Sequence, residues 1–230
     1  VWGWQGSWLG LAAAALLLSL GTWRWLPREG TTSDRPATAG AAPVGGRRLL
    51  SWLTAAYFLE GLGYVVTGTF LVAQVQRLPG LAGYGASAWV LVGLAAVPSC
   101  VLWAHLARRA GYPTALTLAY GVQAAGIVLP VVWPSLIGIY SGAIFFGGTF
   151  MGIVTLTIGW GRTLLPQQSG WVIGLLTTAF GAGQILGPGA AGWLAERLDG
   201  FAIPLIAAAL VVAAGGLLIP LGLWFETRKR

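Results

Sequence analysis

The sequence has few charged and few chemically reactive side chains. Its 230 residues include one cysteine, one histidine and only 8% charged residues. The single cysteine, Cys100, excludes an intrachain disulfide, and the single histidine excludes a histidine-rich metal site. Soluble domains carry about 25% charged residues, so this composition does not fit a soluble fold.

Apolar and small residues are in excess instead. The hydrophobic fraction is 57%, the mean hydropathy is +0.77, and glycine occurs 36 times. Only helices and closed barrels satisfy their backbone hydrogen bonds in lipid, and the alternating pattern of barrel strands is missing from the sequence. We therefore predict an all-α integral membrane protein whose small residues let helices pack closely.

Seven apolar runs have about the 20 residues needed to cross a ~30 Å hydrocarbon core. They lie near 4–26, 49–73, 87–107, 113–133, 135–160, 170–194 and 201–225. The intervening stretch 27–48 is rich in Pro, Gly, Ala and Thr, which predicts a flexible linker. The expected organisation is one helix (1–26), a linker (27–48), a six-helix bundle (49–226) and a basic tail (227–230).

Basic residues collect on one side of this predicted topology. That side holds Arg24, Arg28, Arg35, Arg47, Arg48, Arg108, Arg109, Arg162, Arg228, Lys229 and Arg230, and the other side holds Arg77 and Arg197. Basic loops stay in the cytoplasm, so we expect a cytoplasmic C-terminus. Topology accounts for the net charge of +7, and a nucleic-acid partner is not needed.

A glutamate interrupts the apolar stretch "YFLEGLGYVVTGTFL" (57–71). Helical spacing places Tyr57, Glu60, Tyr64 and Thr67 on one arc. Glu60 lies about 16 Å along the helix axis from Leu49, near mid-membrane, where ionisable residues face a protein interior or a cavity. Burial strengthens proton binding by carboxyl groups in general. We predict a proton- or substrate-binding site on this arc; the alternative is a protonated glutamate hydrogen-bonded to a neighbouring helix.

Two further helices carry polar or small residues on one face. The face of the sixth predicted span comprises Thr177, Gly181, Gln184 and Pro188, and that of the fifth comprises Ser141, Gly148, Gly152, Thr155 and Gly159. We interpret the first as a cavity wall with Gln184 as a ligand, and the second as a surface for tight helix packing. The mid-helix Gln123 is either a cavity ligand or a partner in an interhelical hydrogen bond.

The chain contains two similar sequence segments. "AHLARRAG" (104–111) and "GWLAERLDG" (192–200) stand 88 residues apart and share the pattern Leu-Ala-x-Arg. By the topology above they lie on opposite sides of the membrane. This placement predicts an inverted repeat of two three-helix groups.

The last six spans resemble the C-terminal half of a major facilitator superfamily (MFS) transporter, and "YFLEGLGYVVTGTFL" is similar to the YbfB/YjiJ-like bacterial branch. By this resemblance the linker is the family's central cytoplasmic loop, and the first helix is the last span of an N-terminal half. With seven spans the N-terminus lies outside, yet Val1 is not followed by the charged n-region of a signal peptide. We therefore expect the chain to be a fragment that lacks most of its N-terminal half.

Two family motifs carry over by position. "AHLARRAGYP" is similar to the cytoplasmic gating loop through Leu106, Ala107, Arg109 and Gly111, although Arg108 replaces its acidic residue. "GAGQILGPGAAG" (181–192) is similar to the antiporter-type Gly-x-x-x-Gly-Pro motif through Gly183, Gly187 and Pro188.

The resemblance implies a secondary transporter of a small solute that works by alternating access, coupled to protons through Glu60, in the bacterial inner membrane. The family cavity would bring Glu60, Thr155 and Gln184 together and leave Gln123 on an outer helix. The implied partners are the solute, protons, the lipid bilayer and the missing N-terminal half. The alternative is a non-transporting membrane scaffold or a half-transporter that works only as a dimer.

Enzymatic and photochemical functions find no support in the residues. A retinal photoreceptor needs a lysine within the membrane, and the only lysine is Lys229 in the tail. An intramembrane serine protease needs a histidine at depth, whereas His105 lies at the predicted cytoplasmic end of a helix. We expect no catalytic residue, metal or cofactor.

Overall fold

The computed structural model describes residues 4–25 and 46–228, and almost all of them are helical. The helices are α1 (Trp4–Trp25), α2 (Gly46–Gln76), α3 (Gly85–Ala110), α4 (Tyr112–Val132), α5 (Leu136–Leu164), α6 (Ser169–Arg197) and α7 (Ala202–Thr227). Short 3₁₀ turns at Ala82–Tyr84 and Pro166–Gln168 precede α3 and α6. The chain divides into two units, one with α1 and one with the other six helices. Most of the predicted linker, 27–45, lies outside the described residues, as does the end of the tail.

Helix α1 matches the predicted first span, 4–26, to within one residue. Its 22 residues extend over about 33 Å. The stretch Trp8–Trp23 within it is apolar. The side chains described between Trp8 and Trp23 are exposed within this unit.

The remaining six helices are each long and apolar enough to cross a membrane, which confirms the predicted helical membrane protein. Most of them extend beyond the predicted spans: α2, predicted as 49–73, begins at Gly46 and has 31 residues. Such a helix is about 46 Å long and exceeds the ~30 Å hydrocarbon core. Hydropathy marks only the part in hydrocarbon, while charged residues such as Arg47 continue the helix into the interface.

Short connections reverse the chain between successive helices. The tightest is Gly111, which alone separates α3 from α4 and has a φ of 84°, a conformation that favours glycine. At the end of the bundle where α2 begins, the basic end, lie Arg47, Arg48, Arg108, Arg109, Arg162 and Arg228, whereas Arg77 and Arg197 lie at the opposite end. Arg48 and Glu226 form an ion pair at 3.3 Å, joining the start of α2 to the end of α7.

The packing of the six helices repeats itself in inverted orientation. Helix α2 packs chiefly against α6 and α7, α5 packs chiefly against α3 and α4, and α4 packs against α7. Exchanging the two three-helix groups leaves this pattern unchanged, and α2 and α5 run in opposite directions. The arrangement agrees with the predicted inverted repeat of an MFS half-bundle.

Glycines mark equivalent crossings in the two groups. A methyl group on Gly61 of α2 would collide with the carbonyl oxygen of Phe180 in α6. A methyl group on Gly147 of α5 would collide in the same way with the carbonyl oxygen of Val92 in α3. The high glycine content therefore serves close contact between helix backbones, as expected in lipid.

Candidate functional site

Glu60 lies near the middle of α2 and is 1% exposed. Its Oε1 accepts a hydrogen bond from Nε2 of Gln123, which lies in the middle of α4 and is fully buried. The helix that the family resemblance places on the outside of the cavity therefore directs the Gln123 side chain toward Glu60. The contact is a hydrogen bond between two helices. The sequence had offered such a bond as one alternative for Glu60 and as one alternative for Gln123. The Glu60 carboxyl group does not reach the surface of the six-helix unit.

Several buried oxygens around this pair have no hydrogen-bond partner among the described residues. They are Glu60 Oε2, Gln123 Oε1, the Tyr120 hydroxyl and the Thr67 hydroxyl. Tyr120 is fully buried and lies one helical turn before Gln123 on α4. Each buried polar atom without a partner costs about 1–3 kcal/mol. An unsatisfied group of this kind, buried at mid-membrane, is a candidate functional site.

Tyr120 was not predicted as part of the site. Its side chain packs against two adjacent glycines of α7, Gly215 and Gly216, where an added methyl group would approach the ring to 3.0 Å and 3.3 Å. Those glycines let α4 and α7 come together and carry the ring into the bundle. A signal was present in the sequence, because Tyr120 precedes Gln123 by one helical turn on the same face.

The predicted tyrosines of α2 belong to an aromatic layer that comprises Tyr57, Tyr64, Phe146, Phe150 and Phe180. Tyr57 stacks on Phe180 with ring centres 4.5 Å apart. Tyr64 stacks on Phe146, Phe150 and Phe180 at 5.6, 5.4 and 5.8 Å. The layer joins α2, α5 and α6, and both tyrosines lie one helical turn from Glu60 on the same face of α2.

Exposure varies across the aromatic layer. Tyr57 and Phe146 are buried, whereas Tyr64, Phe150 and Phe180 are half-buried. The three phenylalanines were not predicted, because isolated aromatic residues in apolar helices carry no distinguishing signal. Of the arc predicted from helical spacing, Tyr57, Glu60 and Thr67 are buried in the bundle, and Tyr64 is half-buried at its edge.

The structure does not connect Thr155 or Gln184 to Glu60 by a hydrogen bond. Thr155 is exposed on α5, and its hydroxyl lies 2.9 Å from the Met151 carbonyl oxygen and 3.2 Å from Cys100 Sγ. Gln184 is half-buried on α6. Three residues before it, Gly181 has open space beside it within the described unit. This face of α6 is therefore not a helix-packing surface in the six-helix unit.

Two small residues of the predicted α5 face, Gly152 and Gly159, pack against other helices, whereas Gly148 has open space beside it and Thr155 is exposed. Gly152 lies against the ring of Trp103 and donates its backbone N–H to Ser99 Oγ at 2.8 Å. The carbonyl oxygen of Gly148 accepts a hydrogen bond from Trp103 Nε1 at 2.7 Å. Gly159 lies against Tyr112.

In the structure, the residues of the two family motifs lie at contacts between helices and at the end of a helix. Gly183 and Gly187 lie directly on the α2 backbone, where a methyl group would collide with the carbonyl oxygens of Phe58 and Leu62. Pro188 follows within α6 and is half-buried. Arg109 is exposed at the end of α3, two residues before the turn at Gly111.

The described residues hold no group of three or more His, Cys, Asp or Glu side chains that could bind a metal ion. The buried polar cluster instead has one carboxyl group among neutral amide and hydroxyl groups. Such a set can take up and release a proton at the carboxyl group and can donate or accept hydrogen bonds.

Comparison with known proteins places this fold in a family. Residues 1–220 match the family described as an uncharacterised MFS-type transporter, YbfB. No curated protein matches the chain in a sequence search. The family match covers most of the chain and agrees with the six apolar helices and their inverted repeat. The chain therefore belongs to the YbfB family of MFS-type transporters and is a multi-pass membrane protein.

Proposed function

We propose that this chain forms the C-terminal part of a secondary transporter that moves a small solute by alternating access, with proton coupling at Glu60. Family membership supports transport. The buried contact of Glu60 with Gln123 is the observation that supports proton coupling. A carboxyl group at this depth is costly to keep without a function.

The surroundings of Glu60 support proton binding. Only one of its two oxygens accepts a hydrogen bond from a described residue, and the only ion pair among the described residues lies elsewhere, at the basic end. The titratable neighbours are the phenol groups of Tyr57, Tyr64 and Tyr120. A carboxyl group without a cationic partner in a low-dielectric interior is most stable in its neutral form. Loading and release then require the bundle to change its contacts around Glu60.

Location and partners follow from charge and exposure. The excess of arginine at the basic end favours a cytoplasmic position for that end and for the C-terminus, in a bacterial inner membrane. The bilayer covers the lipid-facing side chains. A second six-helix bundle, the N-terminal half of the same transporter, faces the uncovered sides of α3, α5 and α6 and completes the solute cavity.

The experiment is proton-driven uptake into proteoliposomes that contain this chain together with its N-terminal half, screened over candidate solutes. Glu60→Gln keeps the size of the side chain and an oxygen for the Gln123 amide, but cannot bind a proton. We expect it to abolish accumulation driven by a pH gradient while solute exchange at equal pH continues. Glu196→Gln, at an exposed carboxylate near the end of α6, is the matched control. Unchanged coupling in Glu60→Gln would remove Glu60 from the mechanism.

The same preparation tests the alternative functions. The exposed faces of α3 and α6 would also suit a second copy of this chain. Uptake by the chain reconstituted alone indicates a half-transporter that works as a dimer. Binding to other membrane proteins with no flux in either preparation indicates a scaffold.

A further inference from the structure

The half-exposed side of the aromatic layer has the features of a solute-binding surface. We infer that Tyr64, Phe150 and Phe180, together with Gln184, bind an uncharged planar aromatic solute that carries a hydrogen-bonding group. The inference rests on the proposed transport function and names the class of solute that this half of the transporter contacts.

The ring geometry is the first argument. Tyr64 lies within 5.4–5.8 Å of three phenylalanine rings, and the angles between the ring planes are 14°, 22° and 26°. Near-parallel rings on three helices form a fixed stack, and aromatic rings prefer such offset stacking to less specific contact. Tyr64, Phe150 and Phe180 are only half-buried, so part of the stack remains accessible to a solute.

The polar groups beside the rings are the second argument. Gln184 follows Phe180 by one helical turn, so the two side chains lie on one face of α6. Thr177 precedes Phe180 by three residues and is exposed. The Gln184 side chain is half-buried, and open space lies beside Gly181 between these positions. A lipid chain against this surface would leave the amide and hydroxyl groups unpaired at mid-membrane, which is unfavourable.

The absence of charge sets the third property of the solute. In the fully described helices α5 and α6, charged side chains occur only at Arg162, Glu196 and Arg197, near the helix ends. Glu60 lies inside the bundle with 1% exposure and does not contribute to the surface. An ionic solute would have no counter-charge here, so the complementary solute is neutral.

The test measures equilibrium binding to the protein in lipid nanodiscs, with empty nanodiscs as the baseline. The probes are naphthol, its saturated analogue decahydronaphthol, and naphthalene without the hydroxyl group. We expect saturable binding of naphthol that is tighter than that of decahydronaphthol. Phe150→Leu and Phe180→Leu should each weaken naphthol binding about threefold to tenfold. Phe145→Leu is the matched control, because its exposed ring lines a different cavity, between α3, α4 and α5.

Gln184→Leu tests the polar contact without altering the rings or the buried core. It should weaken binding of naphthol and leave binding of naphthalene unchanged. Equal binding of naphthol and decahydronaphthol, or naphthol binding that survives both phenylalanine variants, would overturn the inference. Aromatic binding without flux in proteoliposomes would overturn the transport function alone. Solute flux that is the same in these variants as in the unaltered protein would overturn the aromatic binding surface and leave the transport function in place.

Discussion

Gln123 of α4 donates a hydrogen bond to Glu60 of α2 in the middle of the six-helix bundle. The contact joins the first and third helices of one three-helix group, and Gln123 belongs to a helix that packs against α5 and α7. A change in protonation at Glu60 would thus act directly on the position of α4. This links the proposed coupling site to the packing of both repeats.

A double-mutant cycle can measure this contact. Gln123→Leu removes the only donor that the described residues give to Glu60, so we expect it to lower the free energy of unfolding by about 1–3 kcal/mol. Glu60→Leu alone leaves the Gln123 amide unpaired, whereas the double variant leaves no unpaired group. The cycle should show a coupling of about 1–2 kcal/mol in unfolding experiments in mild detergent. Additive single effects would mean that the two side chains do not interact.

Tyr120 allows the hydroxyl and the ring to be tested separately. Its hydroxyl is buried without a partner among the described residues, so Tyr120→Phe should raise the free energy of unfolding by about 1–3 kcal/mol. Tyr120→Ala removes the ring from its place against Gly215 and Gly216 and should cost about 3–5 kcal/mol. Thermal unfolding of the two variants gives the comparison. A large loss in Tyr120→Phe would show that the hydroxyl makes a stabilising hydrogen bond.

Gly183 and Gly181 form a matched pair on α6. Gly183 lies on the α2 backbone, so Gly183→Val should separate the two helices and cost about 2–3 kcal/mol. Gly181 has open space beside it, and Gly181→Ala should be neutral or stabilising by up to about 1 kcal/mol. Unfolding midpoints in detergent test both. If Gly181→Ala were as damaging as Gly183→Val, another element of the full protein would have to cover this face of α6.

The membrane orientation can be tested by cysteine labelling in a Cys100→Ser background. Ala110→Cys reports on the basic end and Ala82→Cys on the opposite end; both positions are exposed. In intact cells an impermeant maleimide should label Ala82→Cys, and Ala110→Cys should react only after the membrane is permeabilised. The reverse pattern would place the C-terminus outside.

Helix content was predictable because lipid permits few alternatives. The apolar runs located all six helices of the bundle, and errors were confined to the ends, where α2 and α5 extend into the interface beyond the hydropathy windows. The similarity of segments 104–111 and 192–200 predicted the inverted repeat, because the topology alone places those loops on opposite sides of the membrane. The sequence did not predict that Gly183 and Gly187 pack on the α2 backbone, because a family motif and a helix-packing motif have the same spacing.

The sequence by itself determined that this protein is a helical membrane protein, where its apolar spans lie and that Glu60 stands near the middle of one of them. These properties depend on hydrophobicity and on distance along the chain, which are local quantities. Only the tertiary structure decided that Glu60 points into the bundle toward Gln123, and that Tyr64 meets the rings of Phe150 and Phe180. Those contacts depend on how closely helices approach and rotate, which is set by glycines facing backbone carbonyl groups on other helices.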